Sequence, residues 1–159
     1  MYSHKRVLVA LDGSTEGEAV LRFLMEIAGP LDMTVMLLHV LEPITPQAAE
    51  SMVILDDVEA RRQEAEEYLA PISAALRSQG VNTSWAIRRG RPAQEILAAA
   101  SESGADLIAM ATHGRTGVGR LLFGSVAEAV LRHASVPVFM LRERHTVEAA
   151  SAAREGSAR

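Results

Sequence analysis

The sequence predicts an α/β fold, one parallel sheet with helices on both faces. Three observations predict it. Residues 7–11 (VLVAL), 34–41 (TVMLLHVL), 105–111 (ADLIAMA) and 136–141 (VPVFML) are short apolar runs without alternation, as strands covered on both faces require. Segments with apolar residues at helical spacing separate them, so strands and helices alternate along the chain. The length, 159 residues, suits one domain, and 48% hydrophobic residues suffice for a core.

Each element has its own local reasons. Residues 7–11 end at the turn Asp12-Gly13-Ser14. Residues 15–28 carry Ala19, Val20, Phe23, Leu24 and Ile27 at helical spacing. Thr15 with Glu18 makes a capping box, Glu16 places negative charge in the first turn, and Gly29-Pro30 stops the helix. Residues 34–41 are the second strand. The segment from Glu42 to Val53 holds two prolines and no period, which predicts a loop. Residues 56–78 form a long amphipathic helix, charged between Glu59 and Glu67 and apolar at Val58, Ala65, Leu69, Ile72 and Leu76, with Gly80 at its end.

Residues 81–88 alternate, with Val81, Thr83, Trp85 and Ile87 against Asn82, Ser84, Ala86 and Arg88. One wetter face predicts an edge strand. Gly90-Arg91-Pro92 breaks the chain, and Pro92 suits the first turn of a helix that runs to Ser103. Residues 105–111 are the fourth strand and residues 112–123 a Gly-rich loop. Gly124-Ser125 opens a helix to His133, and residues 136–141 are the fifth strand. The domain is expected to span residues 1–142. Residues 143–159, with no large apolar residue but Val147, form a flexible tail.

Composition excludes several functions. Without Cys the chain has no disulfide scaffold, thiol nucleophile or Cys-based metal site. A net charge of −4 argues against binding nucleic acid by bulk electrostatics. No apolar run precedes the first strand and none reaches about 18 residues, so a cytoplasmic protein without a membrane span is expected.

In doubly wound sheets ligands sit outside the carboxyl ends of the strands. That directs attention to residues 11–15 and 112–125. The segment 110–126 reads MATHGRTGVGRLLFGSV. A buried strand is followed by a loop with Gly114, Gly117 and Gly119, and then by a helix that starts at Gly124-Ser125. Glycines let backbone approach a ligand, loop N–H groups can form an anion nest, and a helix N-terminus adds free donors. Arg115 and Arg120 bring positive charge. These are the parts of a phosphate cradle, although Ser125 with Glu128 also reads as a capping box that needs no ligand. Arg120 and Leu121 stand where a P-loop needs Lys and Ser/Thr, and Gly117-Val118-Gly119 lacks the third glycine of the dinucleotide fingerprint.

This segment closely resembles the ATP-binding motif of universal stress proteins: Gly, two residues, Gly, nine residues, Gly-Ser/Thr. Gly114, residues 115–123 and Gly124-Ser125 match; Ala111 stands at the first glycine. The resemblance extends from about Arg6 to Arg142 through VALDGS, LLHV, Gly90-Arg91-Pro92-Ala93 and VPVFMLR. It implies a single open five-stranded parallel sheet in the order 3-2-1-4-5, of the adenine nucleotide α-hydrolase-like kind. It also implies a homodimer paired through residues 136–142, from Val136 to Arg142, and an ATP-binding role in the stress response. Ala10, Leu11 and Asp12 would line the adenosine pocket, with Asp12 accepting from a ribose hydroxyl. Val40 would touch adenine, and Met110 and Ala111 would floor the pocket. Gly114, Gly124, Ser125 and Val126 would take the phosphates, with Arg115 and Gly117 in the same loop. A methyl at Ala111 would narrow the pocket. The residues by themselves leave plainer roles open: Asp12 as a turn residue, Val40 and Met110 as core.

Hydrolysis needs a positioned water, a base or metal, and charge stabilisation. His113 adjoins the loop, His39 ends the second strand, and His133 precedes the last strand where it can cap helix carbonyls. No HxxxH, HExxH or paired-carboxylate spacing occurs, so no transition-metal site is expected. A Mg²⁺ ion arriving on the ATP phosphates is compatible with the residues. The expected protein holds ATP with at most slow turnover. Its rivals are a regulatory dimer that binds protein partners and no nucleotide, and a nucleotide-processing enzyme. Ile87-Arg88-Arg89 argues strongly against a receiver domain, which needs an Asp there. The loop between Glu42 and Leu55 stands where it could gate the pocket.

Overall fold

Apolar runs and helical periods alternate in the sequence, and strands and helices alternate in the structure. The computed structural model describes residues 6–15, 17–28, 32–43, 54–113 and 124–143. In chain order the elements are β1 (Arg6–Leu11), α1 (Ala19–Ala28), β2 (Thr34–Leu41), α2 (Ile54–Ser78), β3 (Asn82–Arg89), α3 (Pro92–Ser103), β4 (Leu107–His113), α4 (Ser125–His133) and β5 (Val138–Glu143). All neighbouring strands pair in parallel, in the order β3-β2-β1-β4-β5. The order reverses at β1, so the crevice between β1 and β4 is the topological switch point.

The unbroken apolar runs are explained by two cores, one on each face of the sheet. Val7, Val9 and Leu11 of β1 face one core with Val20, Leu21 and Leu24 of α1 and Leu69 and Leu76 of α2. Leu8 and Ala10 face the other, with Ile96, Ala99 and Ala100 of α3 and Ala127 and Val130 of α4. A one-residue slip of any strand would exchange the two sets. β3 is an edge strand, as its alternation predicts: Asn82 and Ser84 are exposed, while Trp85 and Ile87 pack against the first core. β5 is the other edge.

Several element bounds move from the sequence reading, three of them because one backbone N–H is already engaged. α1 starts at Ala19, not Thr15. The Gly17 N–H donates to Ser14 Oγ at 2.9 Å, and Thr15 and Glu18 lie in a turn rather than in a capping box. β3 starts at Asn82 because the Val81 N–H closes the end of α2 on Leu76 O. Gly80 makes that closure possible at φ +86. β4 starts two residues later than expected because the Ala105 N–H caps α3 on Ala100 O. β5 starts after Pro137, which has no N–H to give. α2 begins two residues early, at Ile54, and runs through Pro71, which removes one helical hydrogen bond. Of the expected tail only Glu143 falls among the described residues, and it ends β5.

Candidate functional site

The strand register brings the candidate residues together. Arg88 pairs with Val40 between β3 and β2, and Thr112 with Arg142 between β4 and β5. Leu11 pairs with His39 and Ala10 with Met110, so Asp12, the next residue after β1, falls in line with Val40 and Thr112. One row, Arg88–Val40–Asp12–Thr112–Arg142, therefore crosses the sheet at its carboxyl edge. The row beneath it is Ala86–Leu38–Ala10–Met110–Met140, all packed in the core that α3 and α4 cover. An apolar floor lies under a polar rim.

Ala10, Val40, Met110 and Val126 all belong to this one face. Leu11 and Ala111 do not: alternation turns their side chains into the opposite core, where Leu11 is buried. Only their backbones can line the crevice. The methyl of Ala111 is spent on that opposite core, so the expected narrowing does not follow from it.

The turn after β1 is built around Asp12. Its Oδ1 accepts from the Ser14 N–H at 3.0 Å and from the Ser14 hydroxyl at 2.5 Å, and Ser14 Oγ accepts from Gly17 N. Gly13, at φ +84, allows the chain to reverse here. His39 Nδ1 lies 2.9 Å from Leu11 O, and the Gly13 backbone sits against its ring. The ring also meets the edge of Tyr68, at 6.1 Å between centroids. His39 is thus a wall of the β1 turn. The Tyr68 hydroxyl is buried beside the carboxylates of Glu18 and Asp12 without a well-formed hydrogen bond among the described residues. Burial, then Glu18, then Asp12 push its proton affinity well above the usual tyrosine range.

α4 runs back from the carboxyl edge because it connects two parallel strands. Its N-cap is Gly124, whose carbonyl accepts from Glu128 N at 2.9 Å; no side chain caps the helix. Ser125 is the first helical residue, so the capping box with Glu128 is not formed. Glu128 pairs instead with Arg132 at 2.8 Å. The Ser125 side chain is exposed. His133 closes the other end of α4 with Nδ1 2.9 Å from Ala129 O, as its position predicts. Gly114, Arg115 and Gly117, with the rest of residues 114–123, lie outside the described residues, as does most of the loop from Glu42 to Leu55.

Sequence reasoning missed three members of the rim, Arg88, Thr112 and Arg142. Thr112 is 4% exposed, and its Oγ1 is buried without a hydrogen-bond partner among the described residues. An unsatisfied buried hydroxyl is costly and marks a place for a further partner. Its signal was its even spacing from Met110. Arg142 is exposed and, unlike Arg88, forms no ion pair among the described residues. A hollow of about 260 Å³ between Leu97, Ala100, His133 and Ser135 lies at the amino edge, and no Lys or Arg lines it. The carboxyl edge has what it lacks, a helix N-terminus and a cation, beside its own apolar floor and hydroxyls. Such a crevice suits a ligand with one flat apolar part and one anionic part.

Comparison with known proteins agrees with this geometry. The model of the universal stress protein family matches residues 3–142. A universal stress protein of Methanocaldococcus jannaschii is 32% identical over 142 residues, 88% of this chain and 83% of that protein. The crystal structure of a family member from Burkholderia pseudomallei superposes with a TM-score of 0.69 at 29% identity, covering 89% of this chain and 98% of that one. A universal stress protein of Archaeoglobus fulgidus, solved in complex with dAMP, superposes with a TM-score of 0.61 at 24% identity, covering 86% of this chain and 96% of that one.

Proposed function

Because the chain belongs to the universal stress protein family, we propose that it binds ATP at the carboxyl edge of β1 and β4 and acts as a cytoplasmic regulatory protein of the stress response, with little or no hydrolysis. The observation that carries this reading is the sharing of one face by Ala10, Val40, Met110 and Val126, beside the open N-terminus of α4. The adenine lies on the apolar floor against Val40 and Met110. Asp12 accepts from a ribose hydroxyl. Gly124, Ser125 and Val126 offer N–H groups and a hydroxyl to the phosphates, and Gly114, Arg115 and Gly117 close the cradle. Leu11 and Ala111 take part through their backbones. The buried hydroxyl of Thr112 fits this ligand, since a phosphate would satisfy it. Mg²⁺ arrives with the phosphates. The dAMP complex of a relative supports an adenine nucleotide as the ligand class.

The same reading makes the protein a homodimer through β5 and the residues before it, from Val136 to Arg142. Among the described residues the outer side of β5 is unpaired, with half-buried Val138, Phe139, Met140 and Leu141. Phe23 of α1, 41% exposed, stacks on Phe139 with centroids 4.9 Å apart and extends the apolar strip. A second copy would cover this edge.

Calorimetric titration with ATP, ADP, AMP and cyclic AMP, with and without Mg²⁺, tests the proposal. Micromolar ATP binding that Gly114→Ala and Ser125→Ala weaken supports it. Absence of binding by protein stripped of nucleotide sinks it and leaves a regulatory dimer that works through protein partners.

A further inference from the structure

The polar rim has a direction. Across the sheet it runs Arg88, Val40, Asp12, Thr112, Arg142. Its two ends carry guanidinium groups that differ in one respect. Arg88 is held by Glu102 and Glu95 of α3. Arg142 has no carboxylate partner among the described residues. Asp12 stands between them and repels an anion from the middle of the row. Negative charge is therefore drawn to the β4–β5 side. There α4 begins at Ser125, and there the Thr112 hydroxyl is buried and unsatisfied among the described residues.

We infer that Arg142, with Thr112, forms the distal phosphate end of the site and makes it selective for a nucleoside polyphosphate over a monophosphate. This rests on the adenine-nucleotide reading above and orients the ligand within it: nucleoside over β2 and β1, phosphate chain toward β4 and β5. Thr112 Oγ1 donates to a phosphate oxygen near the helix N-terminus. Arg142 is one strand further out, about 4.8 Å across the sheet, and its planar fork suits a terminal phosphate. A monophosphate leaves the outer position empty and gains nothing from Arg142.

The test is calorimetry of the full chain with ATP, AMP and inorganic tripolyphosphate. Wild type, Arg142→Gln, Arg142→Lys and Arg132→Gln are compared. Arg132 is an exposed α4 cation paired with Glu128 and serves as a control for general charge. The expected result is a preference for ATP over AMP that Arg142→Gln reduces about tenfold, the scale of one charge-assisted hydrogen bond. Arg142→Lys restores part of the preference, and Arg132→Gln leaves it in place. Tripolyphosphate binding weakens most in Arg142→Gln, less in Arg142→Lys, and not in Arg132→Gln. The Arg142 side chain is exposed in the single chain, so the variants fold; because Arg142 also ends the proposed dimer strand, matching thermal melts and sedimentation check that fold and assembly are kept. If ATP and AMP bind and Arg142→Gln keeps their ratio, this inference fails while the adenine-nucleotide reading stands. If neither nucleotide binds wild type, both fail.

Discussion

A methyl group on Gly17 would lie 2.5 Å from Asp12 Oδ1. No side chain can sit there without moving the carboxylate, which Ser14 fixes through its N–H and its hydroxyl. Gly17 therefore keeps Asp12 in place from three residues beyond the turn. Gly17→Ala should lower ATP affinity about tenfold through displacement of Asp12, and it should cost only about 1 kcal/mol of stability, because the turn lies outside both cores. Urea unfolding and calorimetry on the same preparation separate the two effects. Unchanged affinity would mean that Asp12 is a turn residue and nothing more.

Ser125→Ala discriminates in the same way at the other side of the crevice. Were Ser125 the N-cap, its loss would cost about 0.5–2 kcal/mol. Gly124 occupies the cap, and no side chain caps α4. The variant should keep the wild-type urea midpoint and lose ATP affinity. A fall in stability without a fall in affinity would restore the capping role and remove the ligand role.

These two residues also mark what the sequence could and could not reveal. The limits of β2 were legible to the residue, because TVMLLHVL is bounded by turns and apolar throughout. The start of α1 was not. A side-chain network among Asp12, Ser14 and Gly17 competes for the backbone, and spacing alone cannot show which N–H is already taken. The family motif pointed to the right end of β4, but the side on which Ala111 and Leu11 lie is set by strand parity against two cores. Thr112 and Arg142 joined the site only through register with other strands, a property of pairs more than twenty residues apart in sequence.

Tyr68 should make the protein sensitive to alkali. Burial, then the Glu18 carboxylate, then Asp12 favour the neutral phenol, so its native proton affinity exceeds the ordinary value of 10.0. In the unfolded chain the proton leaves near that ordinary value. The stability gained is complete below about pH 10 and is lost as pH rises from there through the raised native value. Urea midpoints at pH 8, 10 and 11 should therefore fall more steeply for wild type than for Tyr68→Phe, which cannot ionise. Parallel declines would show that the phenol titrates alike in both states.

Leu37 and Leu38 are neighbours in β2, 0% and 1% exposed, and face opposite cores. Either one truncated to Ala should cost about 2–5 kcal/mol, since each leaves a cavity in a packed interior. Their effects on the ligand should differ. Leu38 belongs to the row that forms the floor, between Ala86 and Ala10, two residues before Val40 and on the same face. A cavity there lets the floor sag beneath the base. Leu37 faces α1 and α2, with the sheet between it and the crevice. At a temperature where both variants are fully folded, Leu38→Ala should weaken ATP several-fold more than Leu37→Ala, although the two lose similar stability. Equal affinities would place the base elsewhere than over the second and first strands. A larger effect from Leu37→Ala would move the site to the face of His39 and Tyr68, and the row from Val40 to Arg142 would lose its assigned ligand.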